Sequence, residues 1–341
     1  MAVRDTICAR PWVGSDIQEG GGGGDSVLTA LQEKIAMVAL KELREDPSGR
    51  RQTLELMRDW AKKNQNIKEG RFGIAKWWQF HQVSLDSPPE PDLTTSPGLS
   101  LFIGLVSLPL GQVYGSSLRD QSGISFNFFS DDSFLLRFLR VKKFSVPMAQ
   151  QMLLKYLHFR NVYSNLCLGL ANMQPTVYEL LKSGYLFSLP QRDRLGRRVI
   201  FADASKLDPF KYSNSDMAKA HLLVYESLLE EEENQVLGFT HIGDLKGICA
   251  AHLTLWSPSE FASIVKLGEQ AVPMRHKEIH LINMPTGFKV AYDFCKGLLS
   301  EKIRNRFNMH SSLPELHQSV DPKILPKEYG GSIPMAEMIG S

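Results

Sequence analysis

The most informative pattern of apolar and polar positions lies between residues 273 and 310, PMRHKEIHLINMPTGFKVAYDFCKGLLSEKIRNRFNMH. It predicts a short buried strand over 279–283, a turn at Pro285-Thr286-Gly287, and then an amphipathic helix. At about 100° per residue, Lys289, Asp293, Lys296 and Ser300 gather within about 60°. Phe288, Val290, Ala291, Phe294, Cys295, Leu298 and Leu299 fill the opposite side over roughly 180°, wider than an ordinary core-facing stripe. A basic run follows, with Lys302, Arg304 and Arg306. Such a helix is most simply a core helix. The second reading is a gate over an apolar ligand at a membrane.

Elsewhere the periodicity changes along the chain. Residues 1–25 end in EGGGGGD, which predicts a flexible tail. Leu28, Leu31, Ile35, Val38 and Leu43 recur at helical spacing after a cap at Asp25 or Ser26, until Asp46-Pro47 stops the helix. A second helix is expected over about 51–63. From about 70 to 128 no period persists, and prolines punctuate the segment, so 70–129 is expected to be a disordered insertion. Order returns at Asp131. DDSFLLRFLRVKKF predicts a short capped helix with Phe134, Leu135, Phe138 and Leu139 on one side and Arg137, Arg140, Lys142 and Lys143 elsewhere. Helices over 145–163 and 175–183 follow, the first with Pro147 in its tolerated first turn and the second ended by Gly184.

After Gly184 the pattern alternates. Strands are predicted over 185–189, 198–204, 237–245 and 279–283, with helices over 215–232 and 257–270 between them. Strands alternating with helices of ten or more residues indicate βαβ units and a mostly parallel sheet. The expected fold class is therefore α/β, preceded by an all-helical N-terminal part.

Composition adds limits. The 341 residues are 43% hydrophobic and 22% charged, with a formal net charge of +2. That balance gives no global attraction to nucleic acid, so electrostatic function must reside in local patches. The four cysteines, Cys8, Cys167, Cys249 and Cys295, are scattered without a CxxC spacing, which suits reduced thiols. Charges and Pro11 interrupt any secretory signal in the first residues, and the apolar run over 97–117 is broken by Gly104, Pro109 and Gly111. A cytoplasmic protein is expected.

Candidate chemistry is sparse. The sequence contains no GxSxG, GxxxxGK[ST], GxGxxG or HExxH. His276 and His280 are four apart, which on a regular strand places them about 13 Å apart on one face, too far for shared metal ligation. Asp244 and Gly247 lie at the end of a buried strand, where α/β enzymes place carboxylates, but no base or nucleophile accompanies them. Asp244 reads as a turn carboxylate, and Glu230 to Glu233 as a solvated helix end. Neither enzyme activity, metal nor cofactor is expected.

Six segments then fall in a recognisable order: DDSFLLRFLRVKKF (131–144), DRLGRRVIFAD (193–203), NQVLGFTHIGDLKGI (234–248), PMRHKEIHLIN (273–283), LLSEKIRNRFNMH (298–310) and LPKEYGG (325–331). Together they resemble the CRAL-TRIO family, in the branch that includes α-tocopherol transfer protein, cellular retinaldehyde-binding protein and the clavesins. The resemblance implies a helical subdomain over 26–69 and 130–165, and a lipid-binding domain over 170–335 with a sheet floor, helical walls and a mobile gate helix over 285–306. It implies phosphoinositide contacts at Lys142, Arg275, Lys277, Lys302 and Arg306. It also implies a lipid cavity lined by His221, Tyr225, Phe239, Ile264, Leu267, Phe288 and Phe294. His221 and Tyr225 are larger than the family's small hydroxyl residues there; they offer hydrogen bonds to a polar head or simply reduce the pocket. Segment 70–129 and the short stretch after Gly331 depart from the family pattern. The implied function is non-enzymatic binding and intermembrane transfer of a retinoid-, tocopherol- or isoprenoid-like lipid by a monomer peripheral to phosphoinositide-containing membranes. A phosphoinositide-dependent adaptor with a structural cavity is the alternative.

Overall fold

The structure, a computed structural model, describes residues 24–64, 67, 131–167 and 174–339. The tail before Gly24 and segment 70–129 lie outside the described residues. Helix α1 (Gly24–Val38) widens into a π-helical turn (Ala39–Leu43) and stops where Arg44 turns left-handed. Helix α2 (Pro47–Lys63) starts four residues earlier than expected, because Asp46 accepts hydrogen bonds from the backbone N–H groups of Ser48 and Gly49 and Pro47 occupies the first turn. Helices α3 (Asp132–Val141), α4 (Val146–Val162) and α5 (Ser164–Cys167) complete the N-terminal helical region. Leu54, Met57, Phe138, Leu139, Leu153 and Tyr156 form its core, into which Ala218, Leu222 and Ala271 of the α/β part also pack.

Helix α6 (Pro175–Lys182) leads to strands β1 (Leu186–Ser188) and β2 (Arg198–Asp203). Then come α7 (Asn214–Leu229), α8 (Glu232–Leu237), β3 (Phe239–Asp244), α9 (Ala250–Leu253), α10 (Pro258–Ala271) and β4 (His276–Ile282). The chain continues through α11 (Lys289–Gly297), α12 (Glu301–Arg304), β5 (Phe307–His310), α13 (Leu313–Ser319) and α14 (Met335–Ile339). The five strands lie in sequence order. β1 runs antiparallel to β2 and the remaining pairs are parallel, as the alternating pattern requires.

One sheet face carries Ile200, Ala202, Phe239, His241 and Ile279, and packs with α6 and α7. The other carries Val199, Phe201, Ile242 and Ile282 against Leu316, Leu325 and Tyr329 from the C-terminal segments. Asp244 belongs to this second face. Its Oδ1 accepts from Lys246 N (2.8 Å) and Asn283 Nδ2 (2.9 Å), and its Oδ2 accepts from Tyr329 Oη (2.7 Å). All its visible work is structural. Gly331 has no room for a side chain: a Cβ there would collide with the backbone carbonyl of Leu325.

Four sequence expectations change. Arg137 and Arg140 are buried despite their charge, Arg140 with 2% exposure. The acidic run is not a solvated helix end. Glu230 pairs with Arg137, Glu232 with Arg50 and Arg140, and Glu231 and Glu233 with Arg192. The gate region is two helices, α11 and α12, because Ser300 caps a new helix by accepting from Ile303 N. Finally, His276 and His280 lie on opposite sheet faces. The β3–β4 register shifts between Phe239↔His276 and Thr240↔Glu278, leaving Lys277 as an extra residue that reverses the alternation.

Candidate functional site

A basic rim forms at the edge where β3, β4 and β5 begin. Arg275 and Lys277 flank the start of β4, and Arg306 immediately precedes β5, with Ile279 N donating to Arg306 O (2.9 Å). Lys302 comes from α12, and Lys142 from the C-terminal cap of α3. Gly238 permits this close approach. It adopts φ +86°, and a Cβ at this position would meet Arg275 O at 2.5 Å. Arg275 is further held by donating from Nη1 to Val236 O.

The electrostatics show that these cations are gathered together. Burial, followed by repulsion from Arg306, Lys142, Lys143 and Arg275, pushes Lys302 below its ordinary value. Burial and then Lys155 lower Lys142, and burial lowers Arg306. Among the described residues, Lys142, Lys302 and Arg306 have no carboxylate within ion-pair distance. Arg275 and Lys277 do have one. Glu42 Oε2 accepts from Arg275 Nη2 and from Lys277 Nζ, each at 2.7 Å. Burial raises the Glu42 carboxyl, but the Lys277 hydrogen bond and charge, with Arg275, outweigh it and hold the group below the usual carboxylate range. Lys143 and Glu42 thus belong to this rim, although sequence reasoning left both outside it. Lys143 stood in the quoted motif as one basic residue among several; Glu42, more than 230 positions away from its partners, left no local signal.

Beside the rim, α11 and α12 have no buried residue. Ala291, Tyr292 and Cys295 are half-buried, and Tyr292 meets Phe307 of β5 edge-on at 6.3 Å between centroids. Val290 and Phe294 face outward, 80% and 47% exposed. Phe294 was expected to face the cavity. The turn of the helix that brings Tyr292 onto β5 carries Phe294 to the outer side instead.

The other expected cavity residues separate into two groups. Phe239 is fully buried, packed among Leu228, Met274 and their neighbours. Ile264 and Leu267 pack, partly buried, on the helical-region core, and Phe288 is half-buried at the cap of α11. His221 and Tyr225 lie one turn apart on α7, half-buried over the sheet, with ring centroids 5.7 Å apart. The register shift brings His276 to the same side, where its Nδ1 lies 2.8 Å from His241 Nε2. Burial lowers all three imidazoles; His276 falls to about 4, with Arg306 reinforcing the shift, and burial pushes Tyr225 up to about 12. All four groups are therefore neutral at physiological pH. His241 and His276 were not among the residues expected to line the cavity.

Comparison with known proteins bears on this arrangement. Residues 182–331 match the CRAL/TRIO domain. Alpha-tocopherol transfer protein-like of Mus musculus is 34% identical over 221 residues, covering 63% of this chain and 64% of that protein. Clavesin-2 of Rattus norvegicus is 31% identical over 210 residues, covering 61% of this chain and 64% of that protein. Among solved structures, that described as "Crystal structure of Sfh5" superposes with a TM-score of 0.49 at 14% identity, over 86% of this chain and 92% of that one. The chain spans less than two thirds of the length of the two named relatives.

Proposed function

We propose that this chain, whose residues 182–331 match the CRAL/TRIO domain, is a non-enzymatic carrier of a small hydrophobic lipid, retinoid-, tocopherol- or isoprenoid-like, that docks on phosphoinositide-containing membranes. The observation that carries the reading is the meeting of Lys142, Lys302 and Arg306, free of carboxylate partners among the described residues, beside a helix with outward-facing Val290 and Phe294. Cations hold the anionic headgroups, and the two apolar side chains enter the interface. The name of the mouse relative points to the same class of cargo. Residues 26–69 and 130–165 act in this reading as the helical subdomain, and 170–335 as the lipid-binding domain.

Energetics explain why a carrier needs such a rim. Burying about fifteen methylenes stabilises a bound lipid by about 12 kcal/mol, at about 0.8 kcal/mol each. Release into water is correspondingly slow. Passage into another apolar phase avoids that cost, provided the wall over the ligand opens at the membrane. Helices α11 and α12, which have no buried residue, are the wall held by least packing, and a headgroup that binds their open form more tightly shifts the population toward it. The three unpaired cations contribute about 3 kcal/mol near an anionic surface, at about 1 kcal/mol each, and Arg275 and Lys277 add to this only as Glu42 is displaced, sufficient for reversible docking. No helix among the described residues is long and apolar enough to cross a membrane.

The test is charge reversal at Lys302 and Arg306, both to Glu, with lipid transfer measured between vesicles containing phosphatidylinositol bisphosphate. Loss of two cations is expected to weaken docking about thirtyfold or more and to slow transfer in parallel. Unchanged docking and transfer would sink the electrostatic gate.

A further inference from the structure

The inner face of the sheet is chemically odd for a wall that holds hydrocarbon. His221 and Tyr225 from α7 meet His241 from β3 and His276 from β4, with the Tyr225 ring 6.1 Å and 6.4 Å from the two sheet imidazoles. Tyr185 closes the outer side, edge-on to His221 at 5.6 Å. Polar side chains brought together inside a protein are normally consumed by hydrogen bonds to one another. This group is only partly consumed.

A proton inventory shows what remains. His221 Nδ1 lies 3.0 Å from Met217 O. A carbonyl oxygen only accepts, so Nδ1 carries the proton. With the ring held neutral by burial, Nε2 is a bare lone pair. His241 Nε2 and His276 Nδ1 share one proton across 2.8 Å, which satisfies one nitrogen on each ring and leaves the outer pair, His241 Nδ1 and His276 Nε2, as one donor and one acceptor below Tyr225. Tyr225 Oη has no hydrogen-bond partner among the described residues. None of these rings contributes to the sealed, unsatisfied side-chain atoms, which include Arg198 Nε, Trp256 Nε1 and His310 Nδ1. His221 Nε2 and Tyr225 Oη are therefore unpartnered without being sealed in packed protein. One offers an acceptor and the other a donor.

We propose that His221 and Tyr225 form the subsite for the polar head of the carried lipid, and that this head is a hydroxyl, either alcohol or phenol. This rests on the carrier reading and narrows it. A hydroxyl donates to His221 Nε2 while it accepts from the Tyr225 O–H, so the two positions that α7 presents are both satisfied. An aldehyde, ketone or ester only accepts, so it leaves the His221 lone pair unpaired inside the protein. A carboxylate likewise has no proton to give His221, and none of the four surrounding side chains carries a positive charge to meet it. The His241–His276 pair completes the wall and holds the two strands' rings in register beneath Tyr225.

The experiment compares matched ligands that differ only at the head. Purified full-length protein is titrated with retinol, retinal and retinoate, and with 1-hexadecanol, hexadecanal and hexadecanoate, and binding is read by native mass spectrometry and tryptophan quenching. Within whichever skeleton fits, the alcohol is expected to bind about tenfold or more tightly than its aldehyde and carboxylate counterparts. His221→Phe and, separately, the milder Tyr225→Phe are expected to shrink that preference to within about twofold. Circular dichroism melts confirm that each variant is folded. An aldehyde or carboxylate that binds as tightly as the alcohol overturns the hydroxyl subsite but leaves the carrier intact, as does a preference that survives both variants. Failure of all six ligands to bind, with no hydrophobic molecule retained by the protein as purified, overturns the carrier and the subsite together.

Discussion

His276 illustrates what the interior does to single residues. Its ring titrates near 6.5 when unburied, and burial, then Arg306, lowers it to about 4. Between those values the unfolded chain binds a proton that the folded chain refuses. Stability is therefore complete above about 6.5 and falls as pH drops toward 4, by about 3 kcal/mol if His276 acts alone, at about 1.4 kcal/mol per pH unit. Urea melts at pH 7 and pH 4.5 are expected to show this loss, and His276→Phe to reduce it; an unchanged pH dependence in the variant would place the titration elsewhere. Arg140 is the converse case, a charge kept inside. Its guanidinium donates to Glu45 at 2.7 and 2.9 Å, to Gln235 at 2.8 Å and to Glu232 at 2.7 Å. Removing one partner would strand a buried charge. In the sequence Arg140 looks like an ordinary surface cation on an amphipathic helix, since Glu45 lies 95 positions earlier. Charges paired over such separations leave no periodic trace.

Elements were far more legible than their exact ends. The alternation after Gly184 announces the parallel sheet, because a strand buried on both faces and a helix packed upon it have different hydrophobic periods. The boundary between α7 and α8 was hidden, since the acidic residues that look solvated are fixed by arginines from other elements. The register shift at Lys277 was invisible as well. Nothing in PMRHKEIHLIN marks the added residue, yet it decides which histidine faces the proposed ligand and which meets His310 at 2.9 Å. Of the expected cavity, His221 and Tyr225 meet over the sheet, whereas Phe294 turns outward and Phe239 is packed away. Helix rotation relative to a sheet depends on contacts that one strand or helix cannot encode alone. Burial also sets the order in which elements open. Helix α11 has no buried residue, whereas β3 has four of six. Amide exchange is therefore expected to be fastest in α11 and slowest in β3, by orders of magnitude; equal protection would remove α11 as the moving wall.

At the scale of the molecule, the helical region and the sheet are joined by shared core and by charge. Ala218, Leu222 and Ala271 sit in the helical core, and Arg137, Arg140 and Arg160 carry ion pairs across the junction. Glu42 extends the union to the rim, where one carboxylate oxygen already occupies Arg275 and Lys277. An anionic headgroup that reaches those two cations must displace it. The proposed docking would exchange a carboxylate of the chain for a phosphate of the membrane, and shed fewer small counter-ions than five bare cations would. The logarithm of affinity for phosphoinositide vesicles, plotted against the logarithm of salt concentration, should fall less steeply for the native chain than for Glu42→Gln, which should also bind more tightly at low salt. Parallel lines of equal height would show that Glu42 does not compete. In the proposed docking, the turn that carries Glu42 would act as an ionic-strength buffer, making adhesion to membranes weaker than the cation count suggests and steadier as the surrounding salt changes.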